Sequence, residues 1–293
     1  SVDFICLRRL TKNTKKCPFE SKWNTVVQSN NLFYTELNKK FQMKGWETLK
    51  HRKICIKLSG AALAGDGTDN FDEMSLSLIA EEILSLANSG VEVCVMVGGG
   101  NLFRGNQAEA WGINRVEADS IGTLGTVMNS LMLRGILKRD TTREVRVMTS
   151  IPMPSVAEPY IQLRAINHLK KGYIVIFAGG NGQPFVSSDY PAVQRAIEVG
   201  CDALFVAKNG VSGVYDRDPR LDSDARQFET LHYNDVISND LKVMDQSALL
   251  LARDHGLPIH LFDFKERNAI HRILEGESIG TMIHHHETQL LQN

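Results

Sequence analysis

The chain has 293 residues, 43% of them hydrophobic and 23% charged, enough apolar content to bury a sizeable core. A formal net charge of −1 creates no overall field toward nucleic acid or an acidic membrane surface, and no apolar run approaches the ~20 residues needed to cross a bilayer. The five cysteines include no C-x-x-C and no metal-ligand spacing; Cys55, Cys94 and Cys201 read as free thiols packed in or beside strands, which fits a reducing, cytoplasmic setting.

Residues 1–50 lack sustained periodicity, and Arg8, Arg9, Lys12, Lys15, Lys16, Lys22, Lys39 and Lys40 outnumber Asp3, Glu20 and Glu36. They carry no apolar core of a secretory signal and read as a loosely ordered basic extension, or as sequence upstream of a start at Met43. From Lys53 the pattern turns regular. Apolar runs predict strands over 54–58, 91–97, 145–149, 173–177, 203–207 and 258–262, with an edge strand near 280–283. Helical spacing predicts helices over 74–88, 118–139, 159–171, 190–199, 245–256 and 267–275. Alternation of this kind builds a mostly parallel sheet through right-handed crossovers, covered on both faces, in a single α/β domain. Residues 285–293 read as a polar tail, and His284, His285 and His286 as part of it rather than as a metal site.

Two strands end in glycine-rich turns: Val91–Val97 runs into Gly98-Gly-Gly-Asn-Leu-Phe-Arg-Gly105, and Tyr173–Phe177 into Ala178-Gly-Gly-Asn-Gly-Gln-Pro-Phe185. Glycine after a parallel strand exposes backbone N–H groups to an anion without a Cβ in the way, at the edge where α/β sheets bind ligands. Two such turns in one domain suggest two phosphate-bearing ligands, hence phosphoryl transfer. The chain has no Gly-Lys dipeptide, which excludes a G-x-x-x-x-G-K-[ST] loop, and it lacks H-R-D and D-F-G. The first turn is spaced G-x-G-x-x-x-x-G, unlike a dinucleotide fingerprint.

Charged residues beside these turns supply the chemistry. Lys57, inside an otherwise apolar strand and next to Ser59-Gly60, is placed as a point charge on a transferring phosphate; the plainer reading is an edge lysine. Arg104, in the first turn, offers a bidentate fork for phosphate. Asp119 is either the N-cap of the long helix or an acceptor for ribose hydroxyls, or both. Ser187 and Ser188 are phosphate donors as well as helix-capping residues, and Asp189 opens the next helix. Asp189 and Asp245 are both candidates for orienting a metal ion or the lysine, and their roles stay open at this level.

These segments resemble the bacterial-type UMP kinases of the amino-acid-kinase superfamily. The resemblance spans Lys53 to Ile283 and rests on Lys57-Leu-Ser-Gly60, the G-G-G-N-x-x-R-G turn, Gly122-Thr-Leu-Gly-Thr-Val-Met-Asn129, Phe185-Val-Ser-Ser-Asp189, Gly213-Val-Tyr-Asp-Arg-Asp-Pro219 and Leu241-Lys-Val-Met-Asp245. It implies a three-layer α/β/α sandwich around a mostly parallel central sheet, a kinase domain over 51–284, and transfer of the γ-phosphoryl group of ATP, with Mg²⁺, to UMP in pyrimidine biosynthesis. A homo-hexamer activated by GTP and inhibited by UTP is implied as well. By position, Lys57, Leu58, Ser59, Gly60, Gly100, Asn209, Tyr215 and Asp218 would hold ATP. Gly99, Arg104, Asp119, Asn181, Gly182, Gln183, Pro184, Phe185, Val186, Ser187 and Ser188 would hold UMP, and Lys57, Arg104, Asp189 and Asp245 would act in transfer. Departures from the family pattern are Ala61 for a usual Glu, Ser212 for a usual Asp, and Ser187-Ser188 where threonines are common. The competing readings are a superfamily enzyme acting on a carboxylate or carbamate, and a nucleotide sensor or storage protein without turnover.

Overall fold

The computed structural model describes residues 50–65, 67, 69–103, 105–208, 210–219, 221–222 and 224–291. The basic extension therefore lies outside the described residues, as do Arg104 and Asn209. In chain order the elements are β1 (Lys53–Leu58), α1 (Gly60–Ala64), α2 (Glu73–Asn88), β2 (Glu92–Val97), α3 (Gly105–Ala110), α4 (Arg115–Asp140), β3 (Val145–Thr149), β4 (Glu158–Pro159), α5 (Gln162–Lys170) and β5 (Ile174–Ala178). There follow α6 (Asp189–Val199), β6 (Ala203–Lys208), β7 (Phe228–His232), α7 (Tyr233–Ser238), α8 (Gln246–His255), β8 (Ile259–Asp263), α9 (Ala269–Leu274), β9 (Thr281–His284) and β10 (Gln289–Leu290).

The strands form one sheet in the order β10-β7-β9-β8-β6-β1-β2-β5-β3-β4. The pairs from β8 through β4 are parallel; β9 runs antiparallel to β8, and β10 antiparallel to β7. Side chains alternate across each strand, so the sheet has two cores. Ile54, Ile56 and Leu58 of β1 face the core shared with α2, α4 and α9, whereas Cys55 faces the core shared with α5, α6 and α8. Helices on both faces of a mostly parallel sheet give the expected three-layer α/β/α architecture. Among the described residues no helix is long and apolar enough to cross a membrane.

This alternation creates the functional edge. The helices that follow β2 and β5 lie on opposite faces, α4 on one and α6 on the other. The same holds for the adjacent strands β1 and β6, followed by α2 and α8. Each is a topological switch point, where diverging connections leave a crevice at the carboxyl ends of the strands. Two crevices thus flank the central β1–β2 pair.

Several sequence expectations need correction. The segment 228–238 carries a strand and a helix, and β10 returns to pair with β7, so part of the expected polar tail belongs to the sheet. His284 ends β9 and is buried, while His285 and His286 are exposed. The long helix begins at Arg115, capped by Asn114, whose side chain accepts from Val116 N; Asp119 lies inside the helix and is not its cap. The helix expected from 159 starts at Gln162, because Glu158–Pro159 pairs with β3. Cys55, Cys94 and Cys201 are free, with Cys94 Sγ 3.6 Å from Cys201 Sγ.

A second polar cluster lies at the opposite, amino-terminal edge of the parallel strands. His260 stacks on Phe205 at 4.8 Å, with His51 5.8 Å away, and the Nε2 atoms of His51, His260 and His284 have no hydrogen-bond partner. Burial, helped by His51, Lys50 and His284, lowers His260 from 6.5 to about 3; burial and the neighbouring cations lower His284 to about 4. A histidine held neutral by the fold stabilises it above the unfolded-state pKa, and that contribution is lost as pH falls from 6.5 toward these lower values. Between pH 7 and pH 5, His260 alone should remove about 2 kcal/mol of stability. Urea titrations at the two pH values should show this loss in the native protein and a smaller one in His260→Phe; equal losses would refute the assignment.

Candidate active site

Gly99 of the first turn and Gly60 beside it leave no room for a side chain. A Cβ on Gly99 would lie 2.4 Å from the carbonyl oxygen of Gly122, and one on Gly60 would lie 2.5 Å from Asn101 Oδ1 and 2.7 Å from Gly100 N. The turn after β2 is thereby wedged between α4 and the start of α1. The second turn, after β5, faces it across the β2/β5 crevice. A cleft of about 330 Å³ opens between them, lined by Gly99, Gly100, Asp119, Asn181, Gly182, Gln183, Val186, Ser187 and Ser188 of the expected site. Pro184 and Phe185 do not line it. Leu58, Ser59 and Gly60 lie behind the first turn: Gly98 N donates to Leu58 O at 2.9 Å.

Alternation places the charges. Lys57 sits opposite Met96 of β2 and Val206 of β6, on the face covered by α6 and α8. There its buried Nζ lies 2.7 Å from Oδ1 of Asp189, the first residue of α6. Burial alone would raise the pKa of Asp189. The charge and hydrogen bond of Lys57, the charge of Lys208 and the Asp245 N–H outweigh it and hold the carboxyl below its usual range. Asp245 N donates to Asp189 Oδ2 at 3.2 Å. Of the two carboxylates, it is Asp189 that contacts the lysine, while Asp245 reaches Asp189 through its backbone N–H and its own exposed carboxylate makes no cap bond.

Lys208 joins this cluster and escaped the sequence reading. Its Nζ donates to Val243 O at 2.7 Å, and burial together with the Lys57 charge lowers its pKa. The signal was parity: Lys57 aligns with Val206, so Lys208, two residues on, reaches the same face at the end of β6. That inference requires knowing that β1 and β6 are neighbours.

Asp119 ties α4 to the second turn. Oδ2 accepts the N–H of Phe185 at 2.7 Å and Oδ1 the Arg115 Nε at 2.8 Å, while the Arg115 guanidinium sits 5.8 Å from the centre of the Phe185 ring. Phe185 has φ of 65°, a left-handed conformation that a bulky residue adopts only when held there. Ser188 makes no side-chain cap bond, but Ser187 Oγ accepts the N–H of Asp189 at 3.1 Å. Tyr215 and Asp218 follow β6 rather than lining the cleft. The Tyr215 hydroxyl is 2.7 Å from Ser212 Oγ, so the serine that departs from the family pattern contacts the aromatic directly.

The sequence pattern of the amino acid kinase family matches residues 52–263, and the chain belongs to that family. A uridylate kinase from Frankia alni is 56% identical over 234 residues, covering 80% of this chain and 91% of the relative. One from Bifidobacterium longum is 45% identical over 241 residues, covering 82% and 97%. The crystal structure of UMP kinase from Bacillus anthracis superposes with a TM-score of 0.81 at 56% identity, covering 83% of this chain and 99% of that one. That of UMP kinase from Ureaplasma parvum gives 0.76 at 29%, covering 80% and 100%. Within the amino acid kinase family, the chain falls in the uridylate kinase branch.

Asp189→Asn keeps the shape of the side chain and removes the charge facing buried Lys57 and half-buried Lys208. Breaking a buried pair from one side costs about 3–5 kcal/mol, so the urea midpoint should fall substantially; an unchanged midpoint would mean that the pair is not buried as described.

Proposed function

We propose that this chain is a UMP kinase that transfers the γ-phosphoryl group of ATP to UMP, giving ADP and UDP, as a step of pyrimidine nucleotide synthesis in the cytoplasm, with 51–284 as its kinase domain. The observation that carries the reading is the buried Lys57–Asp189 pair, beside the two glycine turns that face each other across the β2/β5 switch point. UMP occupies the β2/β5 cleft, with Gly99, Arg104, Asp119 and the stretch from Asn181 to Ser188 around it. ATP occupies the β1/β6 side, with Lys57 to Gly60 and Gly100 at its phosphates and Asn209, Tyr215 and Asp218 at its base and ribose.

An oxygen of the UMP phosphate attacks the γ-phosphorus as the bond to the β-phosphate oxygen breaks. The acceptor is already an anion, so no side-chain base is needed, and catalysis reduces to alignment and charge neutralisation. Lys57, fixed by Asp189, and Lys208 face the transferring group, and Arg104 holds the acceptor phosphate. Among the described residues no three His, Cys, Asp or Glu form a metal cage. That suits Mg²⁺ delivered with the triphosphate, since this ion keeps several waters and needs few carboxylates. Asp245 is the carboxylate available to it, and the ion would neutralise the phosphate charge.

The same reading extends to assembly as a homo-hexamer, activated by GTP and inhibited by UTP. Its structural support is an exposed apolar stripe along α4, formed by Ile121, Leu124, Met128 and Met132, a surface of the kind that marks association. Met128→Lys paired with Leu124→Glu should shift the sedimenting species to smaller mass, and an unaltered species would remove the stripe from the interface.

A coupled assay should detect ADP formation that depends on UMP and Mg²⁺-ATP and is far weaker with CMP or acetylglutamate. Arg104→Ala should weaken UMP about 10- to 150-fold through loss of a charge-assisted contact, and Lys57→Ala should lower kcat more than affinity. Equal turnover with acetylglutamate, or native kinetics in both variants, would overturn the proposal.

A further inference from the structure

One helix face reaches both glycine turns. Thr126 and Asn129 lie one helical turn apart on α4, on the side facing the sheet, and both are buried. Thr126 Oγ1 accepts the N–H of Gly179 at 2.9 Å and donates its own hydrogen to Thr123 O at 2.6 Å. Asn129 Nδ2 donates to Gly98 O at 2.6 Å and to Asn101 Oδ1 at 2.7 Å. Asn101 Nδ2 in turn donates to Asn70 O at 2.7 Å, extending the link to the loop before α2. Gly98 opens the turn whose Gly100 is assigned to the donor phosphates and whose Gly99 is assigned to the acceptor, and Gly179 opens the turn assigned to the acceptor alone. They leave the adjacent strands β2 and β5, whose connections diverge to opposite faces.

A buried amide and a buried hydroxyl in a helix need a reason, because apolar side chains would fill the same space without the cost of burying polar atoms. What these two do that leucine or valine cannot is hold one backbone group of each turn at a fixed height on a rigid element. Resting on the reading above, we infer that Thr126 and Asn129 are positioning residues that set the separation of the two phosphate-holding turns, and so the in-line distance between donor and acceptor. The hydroxyl hydrogen of Thr126 is spent on Thr123 and the Asn129 amide on Gly98 and Asn101, so these donors are committed to protein groups. Phosphoryl transfer depends steeply on this distance: a misplacement of about 1 Å costs on the order of 100-fold in rate.

Thr126→Val is nearly isosteric and deletes the acceptor for Gly179 N–H; Thr126→Ser restores it. Relative to the native enzyme, Thr126→Val should lower kcat by roughly 10- to 100-fold with KM for ATP and UMP within about 3-fold, and Thr126→Ser should recover most of the loss. Amide exchange should quicken in peptides spanning 178–184 of Thr126→Val while those spanning 145–149 stay as in the native protein. Asn129→Leu should act in the same way through peptides spanning 97–102, and Thr126→Val carries the test if that variant does not fold. Native kcat in Thr126→Val, a serine variant as impaired as the valine, or unchanged exchange at 178–184 would each overturn the inference. A native protein without UMP-dependent turnover would instead overturn the proposed function, and the exchange measurement would still decide whether Thr126 holds the turn.

Discussion

A lysine inside a parallel strand, neutralised by the first residue of a helix on the same face, sets the terms for this molecule. Lys57 is largely removed from water, so its charge needs Asp189, and Lys57, with help from Lys208 and the Asp245 N–H, keeps the Asp189 carboxyl below its usual range. That chain of dependence fixes where α6 and α8 begin relative to β1 and β6. Apolar residues of similar volume often stabilise a fold as well as a buried ion pair does. Packing alone therefore does not explain the cluster, whereas the proposed role of its positive charge toward phosphates at this sheet edge does.

The rest of the site follows from topology. Crevices at two neighbouring switch points open on one edge of the sheet, and the turn after β2 lies between them. Between them, α4 bonds to both turns, and Asp119 on that helix holds the turn after β5 at Phe185. The same element exposes Ile121, Leu124, Met128 and Met132 on its outer side. Site geometry and the surface assigned to assembly are thus carried by opposite sides of a single helix.

Much of this was legible in the sequence. The inner strands are continuous apolar runs because both of their faces are covered, and each was visible for that reason. The segment Phe228–His232 was not, since only Leu231 in it is buried. The glycine turns and Lys57 stood out because each breaks an apolar pattern. What remained hidden was non-local. The partnership of Asp119 with Phe185 spans 66 residues, and the role of Lys208 depends on which strand lies beside β1. His284 looked like tail because three adjacent histidines read as polar, yet the first of them ends β9 and is buried.

The turn after β5 shows how burden is divided within the domain. Residues 179–188 supply none of the buried apolar side chains of either core. The loop is held instead by its backbone, through Gly179 on Thr126 and Phe185 on Asp119. Side chains at its rim that make none of these contacts, such as Gln183 and Val186, can therefore be exchanged without loosening the scaffold, whereas Gly179 cannot.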